Sequence, residues 1–144
     1  PSDLPIQIIK LLIQYPKIVK SLTTRDEDAL IKIATNRTEQ AGAIMKDLLG
    51  FCRLEPEEST FASFQQILNQ SEFASSYAIL LRKLLETEFT YENACDYIQG
   101  ALKNEHRDVI KEELRLISER ISKGIHTEED LKRYKELQSD LKNI

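Results

Sequence analysis

From Tyr91 to the end of the chain, apolar residues recur every third or fourth position, first in one long run and then, after a tight reversal, in a second. The first arm carries Tyr91, Ala94, Cys95, Ile98, Ala101, Leu102, Val109, Ile110, Leu114, Ile117 and Ile121, one stripe of a 3.6-residue helix. The second carries Leu131, Tyr134, Leu137, Leu141 and Ile144. At 1.5 Å per residue, a helix from Tyr91 to Lys123 is about 50 Å long, against about 30 Å for a small domain. Part of this hairpin is therefore expected to project from whatever the first 90 residues build, and a projecting apolar stripe needs a partner.

The ends of both arms are marked. Thr90 is placed to cap the long helix, and Gly124 sits where a left-handed residue terminates one. Thr127-Glu128-Glu129-Asp130 then opens the last helix with a hydroxyl cap and acids at the positive end of the dipole. So short a connection, Lys123-Gly124-Ile125-His126, makes the arms antiparallel neighbours with facing stripes. The stripe thins between Leu102 and Val109, which places a bend near Gly100 or around Asn104-Glu105-His106 among the expectations. Residues up to about Leu102 are expected to pack on the preceding bundle, and those beyond Val109 to form the outer arm.

The first 88 residues read as five or six short helices. Ser2 and Asp3 precede Leu4-Pro5, a sound helix start, and the helix runs from Ile6 to Tyr15 before Pro16 stops it. It is apolar nearly all round, so it belongs inside a bundle. A short helix follows at Pro16–Lys20, then one opened by Asp26 and Asp28 and carrying Ala29, Leu30 and Ile33 inward. Thr38 begins a stronger helix with Ala41, Ile44, Met45, Leu48, Leu49 and Cys52, ending before Pro56. Ser59 or Thr60 caps a helix bearing Phe61, Phe64, Ile67 and Leu68. Ser71 starts another with Phe73, Tyr77, Leu80, Leu81, Leu84 and Leu85 inward and a break near Ser75-Ser76. β-Branched and aromatic residues never alternate as strands require. The fold class expected is all-α: a compact orthogonal helical bundle of short helices, residues 1–88, followed by a long helix and C-terminal helical hairpin, residues 89–144.

Charge and composition exclude several roles. The net charge is −4, from 20 basic and 24 acidic residues. Residues 1–50 hold 7 basic and 6 acidic groups, 53–96 hold 3 and 8, and 103–144 hold 10 and 10. Nucleic-acid binding needs basic groups gathered on one surface, and the only local concentration is Lys10, Lys17 and Lys20, so no direct nucleic-acid partner is expected. Cys52 and Cys95 read as buried small hydrophobes. No apolar run is long enough to span a membrane and no signal-peptide pattern opens the chain, giving the expectation of a reduced, cytoplasmic protein. A start at Pro1-Ser2-Asp3 suggests a fragment.

No chemistry emerges from the remaining residues. His106 and His126 are 20 apart, without a ligand at metal-binding spacing on a shared face. Gly42, Gly50, Gly100 and Gly124 make no phosphate loop. Glu112 and Glu113, adjacent on a helix, do not face each other, and with Lys111 and Arg115 they read as a solvated charged face. Tyr77, Tyr91, Tyr97 and Tyr134 sit at packing positions. Neither a catalytic nor a metal site, nor a cofactor, is expected in this stretch.

Binding is what is left. A stable interface takes about 800 Å² from each partner, which one face of the hairpin can supply. Leu114, Ile117 and Ile121 on the first arm, with Leu131, Tyr134, Leu137, Leu141 and Ile144 on the second, are the candidate partner-binding residues. Two alternatives stand beside this one: the stripe only closes the hairpin, or it drives self-association as a coiled coil.

Two stretches carry a family resemblance. Leu11-Leu12-Ile13-Gln14-Tyr15-Pro16-Lys17-Ile18-Val19 is similar to the opening helix of the C-terminal helicase-binding domain of bacterial replicative primase, the DnaG type. Phe89-Thr90 at the start of the long helix, Gly124-Ile125-His126-Thr127-Glu128-Glu129 at the turn and Leu137-Gln138-Ser139-Asp140-Leu141-Lys142 near the end resemble that family's hairpin in order and spacing. The resemblance implies a non-catalytic domain that docks on the N-terminal domains of the hexameric replicative helicase, recruits primase to the fork and modulates both enzymes, and is a monomer alone. It maps the contact to the final helix and so adds Lys135, Gln138, Ser139, Lys142 and Asn143 to the candidate residues, Ser139 and Asn143 being shorter than their counterparts in relatives. For some relatives it also implies a second partner, the acidic tail of single-stranded DNA-binding protein, held by basic residues near the first helix, where this chain has Ile6 at one such place.

Overall fold

A computed structural model describes residues 3–84 and 89–144, with the side chain of Leu84 also outside the description. Ser2, Leu85 and the inward placement of Leu84 therefore fall outside the described residues. Within them the chain is all-α. The helices are α1 (Leu4–Gln14), α2 (Thr24–Arg37), α3 (Glu39–Leu54), α4 (Phe61–Leu68), α5 (Ala74–Leu84), α6 (Tyr91–Ser122) and α7 (Glu128–Lys142), with a 3-10 turn at Pro16–Ser21. They form two compact units, residues 1–99 and residues 100–144.

In the first unit α1 supplies the centre. Ile8, Ile9, Leu11, Leu12 and Ile13 are fully buried, each worth about 1.5 to 3 kcal/mol of transfer free energy before the entropy of ordering is set against it. Helices α2, α3, α4 and α5 all contact α1, and α3 packs most extensively on α2. Gly42 marks the close approach of α3 to α2, since a Cβ there would collide with the Thr35 hydroxyl. The Asp3 carboxylate accepts from the Ile6 amide at the start of α1 and pairs with Arg37 at the end of α2, tying two helix ends together.

Caps set most of the boundaries. Thr23 with Asp26 and Thr60 with Ser63 form capping boxes, and the Thr38 hydroxyl accepts from the Ala41 amide. Helix α5 runs unbroken through Ser75 and Ser76, where a break was expected. Tyr77, one turn in, holds it: the ring is buried, and its hydroxyl donates to Asp47 Oδ2 at 2.8 Å, an oxygen that also accepts from Ser71 Oγ at 2.6 Å. Burial and the Asp47 carboxylate push the Tyr77 phenol well above its ordinary range. Several apolar assignments shift: Phe61 is 43% exposed and Tyr91 lies at the surface, while Ile33, Ile67, Phe73, Leu81 and Cys95, read as inward, are half-buried, with Ala34 taking the place of Ile33 inside. Tyr91 still packs edge-on against Tyr15, with Lys17 Nζ 4.5 Å from its ring centroid, and the Tyr15 hydroxyl donates to the Phe89 carbonyl at 2.6 Å. Cys52 and Cys95 are free thiols. Cys52 is buried, and its thiol is raised first by that burial and then by the nearby Glu55 carboxylate.

Candidate docking hairpin

The second unit is built around the turn between α6 and α7. Gly124 adopts φ +70°, the Gly124 amide donates to the Ile121 carbonyl and the Ile125 amide to the Arg120 carbonyl, both at 3.1 Å. That pair of bonds is the Schellman termination, which needs a left-handed residue and so selects glycine. Three residues on, the Thr127 hydroxyl accepts from the Asp130 amide while the Asp130 carboxylate accepts from the Thr127 amide, and α7 begins. Helix α6 is continuous through Gly100 and Asn104-Glu105-His106.

The facing stripes meet. Ile110, Ile117 and Leu137 are buried together, and Leu114, Ile121, Tyr134, Leu141 and Ile144 pack around them. With Ile117 and Leu137 only 1% exposed, these two have no surface to offer a partner while the hairpin is closed. The other five contribute only partly covered edges. Leu131 is different: it is 44% exposed. Lys135, Gln138, Ser139, Lys142 and Asn143 are exposed as well. Leu131, Lys135, Gln138 and Lys142 follow one another at steps of four, three and four, so they form a single stripe, about 100° around α7 from the buried seam. The sequence-derived candidates thus divide into a seam that builds the hairpin and a flank that remains open.

Two ion pairs cross between the arms, and reading the sequence alone missed both. Arg120 Nε and Nη2 donate to Asp130 Oδ2 and Oδ1 at 3.1 and 2.9 Å. Arg133 Nε and Nη2 donate to the two Glu113 oxygens at 2.9 and 3.2 Å. Both are bidentate, the geometry in which a guanidinium is most directional. The Arg120 guanidinium, followed by the Thr127 amide, draws the Asp130 carboxyl down to about 2. Arg133 likewise holds Glu113 below its ordinary value. Glu112, by contrast, pairs along its own helix with Arg115, so the two adjacent glutamates, both solvent-accessible, turn to different partners. The detectable signal was positional, because each pair straddles the turn at nearly equal distances in sequence. Val109 and Leu116 on α6, 39% and 42% exposed, are further apolar surface outside the seam.

Nothing in this geometry gathers reactive groups. Among the described residues no cluster of His, Cys, Asp or Glu is suited to a metal ion, and no helix is long and apolar enough to cross a membrane. What the unit offers is a braced two-helix element with an open flank. A family model described as DNA primase DnaG DnaB-binding matches residues 7–137. The chain belongs to this family. The match takes in all of α1 to α6, except the first turn of α1, and most of α7. No curated protein and no solved structure matches the chain. A DnaB-binding domain works by protein contact rather than by turnover, so this is the non-catalytic, helicase-binding part of a replication primase.

Proposed function

We propose that this domain binds DnaB through the exposed flank of α7, Leu131, Lys135, Gln138 and Lys142, with Ser139 and Asn143 at its margin, and thereby brings primase to the replication fork and modulates priming and unwinding. The observation that carries the reading is the division of labour in the hairpin. The apolar seam is consumed in closing it, while Leu131 stays open in line with two lysines and a glutamine. Ile117 and Leu137 then act as supports that keep the flank in place. The domain is a monomer without its partner, because the stripe that would build a coiled coil is already covered.

Pull-down and titration of the DnaB hexamer test this. Leu131→Asp, at an exposed position, should leave the helical content unchanged and weaken binding at least tenfold, about 1.4 kcal/mol. Lys135→Glu should act in the same direction and the double variant more strongly. Wild-type affinity in the double variant would remove the α7 flank from the interface. Sedimentation at micromolar concentration checks the monomer.

A further inference from the structure

The ion pairs that cross the hairpin fix which side of it each remaining side chain occupies. Glu113 and Arg133 each stand one residue before a seam position, Leu114 and Tyr134, and they meet. Successive residues of a helix point about 100° apart, so in an antiparallel pair the residues just before the seam positions share one side. Those just after them share the other. On α6 this second set is Lys111, Arg115, Ser118 and Ser122, all exposed, following Ile110, Leu114, Ile117 and Ile121. On α7 it is Lys135, Gln138 and Lys142, with Leu131 four residues earlier, which is the open flank. The register imposed by Glu113–Arg133 and Arg120–Asp130 sets Ser118 level with Leu131 and Lys111 level with Lys135. Lysines therefore gather at the end away from the turn, an exposed leucine lies beside a serine nearer to it, and none of these residues is acidic. Glu112 and Glu119 pair with Arg115 from the outer side of α6, so Lys111, Lys135 and Lys142 set the charge of this face. The opposite side mixes Glu113, Glu136 and Asp140 with Arg120 and Arg133.

We propose, resting on the reading of α7 above, that the α6 row joins the α7 flank in one docking face and that the DnaB surface it meets is acidic. The α7 flank alone is small for the purpose, since a standard interface engages roughly 20 to 30 residues a side. The α6 row widens the face across both arms and leaves the seam closed. An apolar contact at Leu131 rimmed by lysines has the anatomy of a protein interface. Lysines turned one way with no acid among them are complementary to a surface of carboxylates. Single-stranded nucleic acid is bound by aromatic stacking platforms as well as by basic groups, and this face has no aromatic residue.

Binding of the 144-residue chain to the DnaB hexamer across a salt series is the test. Lys111→Glu should weaken binding about fivefold at roughly 50 mM salt and about twofold or less at roughly 500 mM, where the screening length is about 4 Å. Lys111→Gln, which keeps a good helix former and removes one charge rather than reversing it, should fall between the two. Lys132→Glu makes the same change of charge on the outer side of α7 and should bind as the wild type does. Wild-type affinity in Lys111→Glu, with Leu131→Asp still weakened, would overturn the part given to α6 and leave the α7 flank standing. Wild-type affinity in both would overturn the two together. Equal losses in Lys111→Glu and Lys132→Glu, or a loss that does not change with salt, would overturn the acidic partner surface. A single-stranded oligonucleotide that binds the chain at about 150 mM salt and is released by Lys111→Glu would overturn the assignment of this face to a protein.

Discussion

Asp130 joins two jobs in one carboxylate: it closes the capping box of α7 and it anchors Arg120 of α6. Because both partners favour the charged form, its carboxyl lies near 2 in the folded chain against an ordinary 3.8. The folded value being the lower, its contribution is fully present above the ordinary range and is lost as pH falls from about 3.8 toward 2. Two resonances report this directly, the Thr127 amide and the Arg120 side-chain Nε–H. Both should move together across that window in the wild type and lose the transition in Asp130→Asn, which should also lower the melting temperature at neutral pH. Thr127 as a cap was legible in the sequence, because a Thr three residues before an acid is a local pattern. The partner of Arg120 was not, because it lies 10 residues away and depends on the register that the turn imposes.

Single glycines show how far an element's own needs explain its sequence. In α3, Gly50 faces open space and Gly42 faces Thr35, so the same substitution should have opposite signs. Gly50→Ala should raise stability by about 0.5 to 1 kcal/mol through helix propensity. Gly42→Ala should lower it by about 1 to 3 kcal/mol, because the added methyl meets Thr35 and α2 must shift. Gly124→Ala meets no atom, yet should cost about 1 kcal/mol because φ +70° is left-handed. Denaturant titration of the three variants orders them. Gly124 was readable from sequence as a helix stop. Gly42 was not, since a close approach between helices leaves no trace in either helix alone. The unbroken α5 has the same origin: two serines in succession read as a weak point until Tyr77 and Asp47, 30 residues apart, are seen to hold that helix.

Across the whole chain, periodicity revealed the helices but could not say which side of a stripe would be consumed. Leu131 and Leu137 look alike in the sequence of α7, and only the pairing of the arms makes one open and the other buried. The two units carry separate cores, one centred on α1 and the other on Ile110, Ile117 and Leu137. Leu137→Ala should therefore cost about 2 to 5 kcal/mol locally, the range for emptying a buried leucine site. Hydrogen exchange should show that loss in the amides of α7 and of α6 beyond Ile110, with α1 and α3 protected as in the wild type. DnaB affinity should fall as well, even though Leu137 is 1% exposed, because an opened hairpin no longer presents the flank as one surface. Leu131→Asp should do the reverse, weakening binding with exchange unchanged throughout. If both variants lose protection together, the seam and the flank are one element and the division proposed for α7 fails.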